Sequence, residues 1–230
     1  MSEFAWSFSH AETFDTCPVQ YEAKYVTKVI KFQETEATRW GNHVHQVAED
    51  YLRDGTPVPD NVPYKAQFDW VAARAERFGA ELILEAEVGL TRDWGPCKYF
   101  DREKTVWCRG KIDVLMIRPD GVAEVLDWKT GKPKMARTQL MIYALFVLAH
   151  YPAVKEVRAG FVWLKDNQVT PPVAYLRMNQ NAYRDHWERK YASMKAAREL
   201  GVFVPTPNGL CKNWCDVTYC DFHGKGARRN

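Results

Sequence analysis

No run of apolar residues in this 230-residue sequence is long enough to cross a bilayer. The first residues, Met1 to Trp6, lack the basic start and apolar stretch of a secretory leader, so no membrane association is expected and the chain reads as cytoplasmic. There is no internal repeat, which argues against solenoids and propellers, and no low-complexity tract, which argues against a disordered linker. Charge of one sign is not in large excess either. A formal net charge of +3 neither demands nor excludes nucleic acid, because a local basic groove is sufficient for binding. The local excesses are Lys24, Lys28 and Lys31 near the start and Lys225, Arg228 and Arg229 at the end.

What is present points to a packed protein. Hydrophobic residues make up 46% of the chain, with nine Trp and eleven Tyr, so a sizeable core and one domain with a small appendage are expected. Three of the six cysteines crowd into the stretch Cys211, Cys215, Cys220. In an intracellular chain such a cluster suggests metal or iron–sulfur ligation before disulfides.

Along the chain, Ser9 and Glu12 fit a capping box that opens a short helix. Helical spacing predicts further helices from about Thr35 to Arg53 and from about Tyr64 to Ala80, the second with Phe68, Val71 and Ala75 on one stripe. The pattern then changes to strands over Leu82–Leu90, Thr105–Cys108, Gly110–Ile117 and Val122–Trp128. Met135–His150 reads as an apolar helix, Val157–Leu164 and Val173–Met178 as strands, and Asn181–Leu200 as an amphipathic helix. The fold class is therefore α/β, a central mixed sheet flanked by helices, with a Cys-rich C-terminal tail.

The informative segment is a hairpin. Arg118-Pro119-Asp120-Gly121 is a type I turn signature, and Gly121 can take the left-handed conformation that closes a three-residue hairpin with a bulge. That closure pairs Arg118 with Val122, Leu115 with Val125, and Asp113 with Asp127. Two carboxylates then oppose each other with Cβ atoms roughly 5 Å apart. Lys129, two residues on, shares their face with Leu115, Ile117, Ala123 and Val125. Ile112, Val114, Met116, Leu126 and Trp128 are expected on the other face. Like charges at the edge of a buried face call for a shared proton or a divalent cation, and hard carboxylate oxygens select Mg²⁺ or Mn²⁺. A neighbouring ammonium suits phosphoryl hydrolysis. The plainer alternative puts both aspartates at exposed strand ends, with Lys129 as an ion-pair partner.

Gly110-Lys111-Ile112-Asp113, then Asp127-Trp128-Lys129-Thr130-Gly131, then Gln139 to Tyr143, resembles the RecB-type nuclease domains of the PD-(D/E)xK superfamily, a group that includes CRISPR-associated and phage exonucleases. Gly41 to His45 with Glu49 is similar to the helix of that family that carries a metal-binding histidine. Ser7-Phe8-Ser9 and Cys17 to Tyr21 are similar to its opening. The resemblance implies a restriction-endonuclease-like fold over 1–200 and a metal or iron–sulfur tail at 201–230 packing on the N-terminal helix. It implies His45, Asp113, Asp127 and the Trp128 carbonyl as metal ligands, Lys129 as the catalytic lysine, and Gln139 and Tyr143 flanking the site. The Glu85–Glu87 pair could support that site or simply mark an exposed strand edge. By the same resemblance, Cys17, Cys211, Cys215 and Cys220 would hold a 4Fe–4S cluster, although the middle cysteine of the tail is displaced by one from the usual spacing. Zinc on Cys211, Cys215, Cys220 and His223 is a second arrangement, and plain thiols a third. The implied activity is a DNA exonuclease acting on linear ends in phage, CRISPR-related, recombination or repair processing, within the host cytoplasm for a phage protein. The alternatives are a structure-specific endonuclease or a non-catalytic DNA-binding subunit. No helicase signature is present, so a helicase, recombinase or integrase partner would be a separate chain.

Overall fold

The computed structural model describes residues 3–103, 105–133 and 136–225. Met135, the expected start of an apolar helix, and Arg228 and Arg229 lie outside the described residues. The elements in chain order are α1 (Phe8–Thr16), α2 (Pro18–Tyr21, continued by a π-helical turn at Glu22–Val26), α3 (Glu36–Asp54), α4 (Lys65–Phe78), β1 (Glu81–Leu90), β2 (Pro96–Cys97), β3 (Cys108–Ile117), β4 (Val122–Lys129), α5 (Arg137–His150), β5 (Glu156–Trp163), β6 (Gln168–Val169), β7 (Val173–Leu176) and α6 (Gln180–Leu200). The chain divides into two compact units, one of residues 34–184 and one that joins the two terminal segments. No helix among the described residues is long and apolar enough to cross a membrane.

In the larger unit the strands form one mixed sheet in the order β2-β1-β3-β4-β5-β6, with β7 also paired to β5. Among the described residues only the β4–β5 pairing is parallel, and its crossover is α5. The hairpin closes as the turn chemistry predicts. Arg118 N–H donates to the Val122 carbonyl at 2.9 Å and Gly121 has φ +83°. Leu115 pairs with Val125 and Ile117 with Ala123. The recorded ladder stops at Val114–Leu126, one step short of Asp113 and Asp127.

Val114, Met116, Leu126 and Trp128 pack into one core with Val44 and Ala48 of α3 and with Phe68, Val71 and Ala75 of α4. The α4 residues are the stripe expected of that helix. β1 pairs with β3 from Glu81–Ile117 to Leu90–Cys108, but Glu85 and Asp113, which stand opposite each other in that register, are skipped. Glu85 sits there with φ +52°, a left-handed conformation that a side-chain-bearing residue rarely adopts. Beyond that point the alternation no longer holds. Gly110 has the parity of Val114 and Met116, yet it lies against Phe146 of α5, where an added Cβ would meet Phe146 Cε2 at 2.7 Å. The strict two-faced strand read from the sequence is therefore interrupted at the acidic residues themselves.

Two local expectations are corrected. The first helix is capped by Ser7, with the His10 side chain reaching back to the Ser7 backbone, rather than by Ser9 and Glu12. A histidine nitrogen accepts there as a carboxylate would. Thr105–Cys108 is not a separate strand, because Cys108 is the first residue of β3.

The terminal unit has an aromatic core. Trp6, Tyr21, Trp187 and Tyr191 are fully buried, with Trp6 and Trp187 ring centroids 5.2 Å apart. The tail meets the N-terminal segment here, where Asn208 Nδ2 donates to the Thr16 carbonyl at 3.1 Å.

The close approach at Gly110 gives a test of the strand's placement. Gly110→Ala should destabilise the protein by about 1–3 kcal/mol, because an aromatic ring packed at that distance must move. Urea unfolding measures this, and an unchanged midpoint would show that β3 does not sit so close to α5.

Candidate active site

Three carboxylates stand in one row across the sheet: Glu85 on β1, Asp113 on β3 and Asp127 on β4. The first two are placed opposite by the β1–β3 register, and the second pair follows from extending the hairpin register by one step. Asp113 and Asp127 are 7% and 3% exposed. His45 of α3 closes the row on one side, its Nδ1 lying 3.5 Å from Asp113 Oδ1 and 3.6 Å from Glu85 Oε1. The donor atoms of His45, Glu85 and Asp113 all lie within 4.8 Å of one another. Two hard carboxylates and an imidazole at that spacing suit a divalent cation.

Each carboxylate is held differently. Asp113 Oδ2 accepts a hydrogen bond from the Trp128 N–H at 2.8 Å, which turns Oδ1 toward His45. Glu85 receives Lys111 Nζ at 2.8 Å. Burial alone would raise the Glu85 carboxyl, but His45 and Lys111 outweigh it and hold the group below its ordinary value. Asp127 Oδ1 accepts from Tyr143 Oη at 2.9 Å and from Gln139 Nε2 at 3.0 Å. Its Oδ2 lies 2.5 Å from Lys129 Nζ as an ion pair, but this buried oxygen has no hydrogen bond of normal geometry. Burial raises the Asp127 carboxyl, and the charge of Asp113 adds to that, against the opposing effect of Lys129 and Tyr143. Gln139 also reaches Lys129, whose Nζ is 3.3 Å from Gln139 Oε1, and donates to Tyr143 Oη at 2.8 Å. Burial first, and then the charges of Asp127 and Asp113, push the Tyr143 hydroxyl well above its usual range, so it stays a donor. Lys129 lies 5.2 Å from the ring centre of Phe161, the residue that pairs with Asp127 across β4–β5.

Every residue singled out around the hairpin is thus brought to one place: His45, Asp113, Asp127, Lys129, Gln139 and Tyr143. Trp128 contributes its N–H to Asp113, while its ring packs against Phe68 at 5.4 Å. The tight donor group shares His45 and Asp113 with the expected one. Glu85 belongs to it, whereas Asp127 stands beside it, bound by Lys129, Gln139 and Tyr143. The sequence pointed to the Glu85–Glu87 pair without deciding its role, because only the β1–β3 register puts Glu85 opposite Asp113.

In the terminal unit, Cys17, Cys211, Cys215, Cys220 and His223 line one cavity. No disulfide joins the cysteines. Asn208 N–H points at Cys211 Sγ at 3.4 Å. Burial pushes the Cys215 thiol up, a hydrogen bond from the Val217 backbone opposes this, and Cys211, Cys17 and Cys220 add to it. Four thiols lining one cavity are a donor set of the kind that iron–sulfur chemistry uses, although among the described residues no three cysteines bring their sulfurs within 4.8 Å of one another. Cys97 and Cys108 are buried elsewhere, in β2 and at the head of β3.

A family model described as the PD-(D/E)XK nuclease superfamily matches residues 5–224. Among solved structures, the chain is similar to the crystal structure of SSO0001, with 14% identity, TM-score 0.47 and coverage of 97% of this chain and 88% of that one. It is also similar to a Eubacterium rectale protein described as a candidate exonuclease, with 12% identity, TM-score 0.47 and coverage of 90% and 86%. At these values neither likeness bears on activity. No curated protein matches the chain.

The His45 geometry makes a pH prediction for metal-free protein. Burial would lower its pKa, but the hydrogen bonds and charges of Asp113 and Glu85 prevail and carry it to about 10. The folded value lies above the unfolded one, so the stabilisation is complete below about pH 6.5 and is lost as pH rises toward 10. In chelator, the stability difference between wild type and His45→Gln should therefore shrink steadily between pH 6.5 and 10. A difference that stays flat over that range would mean that His45 is not held as an imidazolium between the carboxylates.

Proposed function

The chain belongs to the PD-(D/E)XK nuclease superfamily, and from that premise we propose that it is a metal-dependent deoxyribonuclease that digests linear DNA from its ends. The observation that carries this reading is the convergence of Glu85, Asp113 and Asp127 with His45 on one side and Lys129 on the other. The motif order that resembles RecB-type domains favours an exonuclease over an endonuclease, and DNA with free ends is its partner.

Mg²⁺ or Mn²⁺ would be held by His45, Glu85 and Asp113, with Asp127 and the Trp128 carbonyl beside them. When bound, the ion would polarise a phosphoryl oxygen and make water a competent nucleophile at neutral pH. The fit rests on the donor chemistry and on the buried Asp127 Oδ2, an oxygen whose hydrogen-bonding capacity Lys129 leaves unfilled. Metal entry must displace the His45 proton, because a protonated imidazole offers no lone pair to a cation. The chain's own residues then divide the remaining work. Lys129 presents an ammonium beside the acidic row, where it can take up charge developing on a scissile phosphate and orient the attacking water. Gln139 is a positioning residue, because one amide fixes the Asp127 carboxylate and the Lys129 amine relative to each other. Tyr143 holds Asp127 through its hydroxyl and keeps that oxygen from turning away.

The cysteines of the terminal unit carry a second, structural part of the reading. Cys17, Cys211, Cys215 and Cys220 would hold a 4Fe–4S cluster that ties the N-terminal segment to the tail. Zinc is the alternative favoured by one observation, the presence of His223 on the same cavity.

Asp127→Ala should lower cleavage of end-labelled DNA on the order of 10³-fold while DNA binding persists, and EDTA should stop the wild type until Mg²⁺ or Mn²⁺ is restored. Undiminished cleavage in either case would refute the site. Closed circular DNA should survive incubation that consumes the linear form, and its cutting would make the enzyme an endonuclease. Anaerobically purified protein should contain about four iron and four acid-labile sulfide per chain. Colourless protein with one zinc would reassign the cysteines.

A further inference from the structure

Outside the acidic row, the connection from β2 to β3 brings aromatic rings together with Arg109 of β3, a grouping that the nuclease reading does not use. Phe100 is 72% exposed. Its ring meets the Tyr99 ring edge-on, centroids 4.7 Å apart at 78°. The Arg109 guanidinium lies over both, 5.0 Å from the Tyr99 centre and 5.1 Å from the Phe100 centre. Tyr99, Phe100, Arg102, Thr105, Val106 and Arg109 line an open cavity of about 430 Å³, a volume within the usual range for ligand sites.

The base of this connection is anchored. Trp94 and Trp107 are buried with ring centroids 4.9 Å apart, and the Arg92 guanidinium covers Trp107 at 4.8 Å. Asp101 and Glu103 also line the cavity and would repel an anion. Asp101, however, is engaged in the turn, accepting from the N–H groups of Lys98 at 3.1 Å and Glu103 at 2.9 Å. An exposed ring on an anchored turn, with a cation already stacked on it, is the arrangement that binds flat aromatic ligands without selecting among them.

Lys111 links the strand that carries Arg109 to the acidic row. Arg109 and Lys111 are two residues apart on β3 and so share a side of the strand, and Lys111 Nζ is 2.8 Å from Glu85. Along β3, Arg109 and Asp113 are separated by about 13 Å, a span of a few nucleotides. We infer that Tyr99, Phe100 and Arg109 form a stacking platform for unpaired bases, so that the strand delivered to the acidic row is single-stranded DNA, with Lys111 next to its phosphates. A duplex hides the faces of its bases, whereas an unpaired strand offers each one to an aromatic ring. This inference rests on the nuclease reading for the identity of its ligand.

Fluorescence anisotropy in EDTA, at one fixed salt concentration, tests it with a labelled oligothymidine strand and a blunt duplex of equal length. Phe100→Ala should weaken single-strand binding about tenfold and leave duplex binding unchanged. Arg109→Lys keeps the charge and loses the planar stack, and should also weaken the single strand selectively. Equal affinity of wild type and both variants for the single strand overturns the inference, as does an equal loss on both ligands. The two readings fail separately. DNA cleavage with Phe100-independent binding sinks only the platform, while Phe100-dependent binding without cleavage in Mg²⁺ or Mn²⁺ sinks only the proposed reaction.

Discussion

Three carboxylates lie side by side in the middle of a largely buried sheet, and that crowding is what the surrounding structure must compensate. Two of them are almost fully removed from water, where like charges repel strongly and desolvation disfavours ionisation. The molecule answers with cations and donors aimed at each carboxylate: Lys111 and His45 for Glu85, His45 and the Trp128 N–H for Asp113, and Lys129, Gln139 and Tyr143 for Asp127. No hydrogen bond links one carboxylate to another. Such a group is held together by partners that a divalent ion could replace or join, which is why the same contacts describe both a stable metal-free protein and a site ready for an ion.

The sheet is shaped around this need. A regular pairing of β1 with β3 would set Glu85 and Asp113 into the ladder as an ordinary cross-strand pair of like charges, which is unfavourable. Instead the ladder skips both residues, Glu85 turns to a positive φ, and the strand beyond changes the face it presents, so that Gly110 meets Phe146 of α5. Backbone departures of this kind persist only where the surroundings enforce them. Here the enforcement comes from the α3–α4 core on one side of the interruption and from the close contact with α5 on the other.

Much of this was readable from local chemistry. Pro119 and Gly121 specify the turn, the turn specifies the register, and the register puts Asp113 opposite Asp127 with Lys129 alongside. The helices α3 and α4 follow from local pattern, whereas Gln139 and Tyr143 were marked only by the resemblance to RecB-type domains. The sequence marked the Glu85–Glu87 pair but left its role open, because the partnership of Glu85 with Asp113 is set by a pairing between strands about thirty residues apart, which no local pattern encodes. The interruption of alternation on β3 was missed for the same reason: Gly110 to Ile117 reads as a uniform strand, and the kink arises from the neighbour. The cap at Ser7 escaped notice because histidine replaced the carboxylate that usually marks a capping box. The platform at Tyr99 and Phe100 lies in a connection without periodicity, where only coordinates bring Arg109 onto the rings.

The central claim is that His45, Glu85 and Asp113 form a cation site at the interrupted row. Anomalous diffraction from crystals grown with Mn²⁺ tests it most directly, since manganese scatters anomalously and can be located without reference to the protein atoms. The account predicts one strong peak among His45 Nδ1, Glu85 Oε1 and Asp113 Oδ1, at coordination distances from all three. Manganese bound elsewhere in the larger unit, with those three side chains still joined by His45, would contradict it.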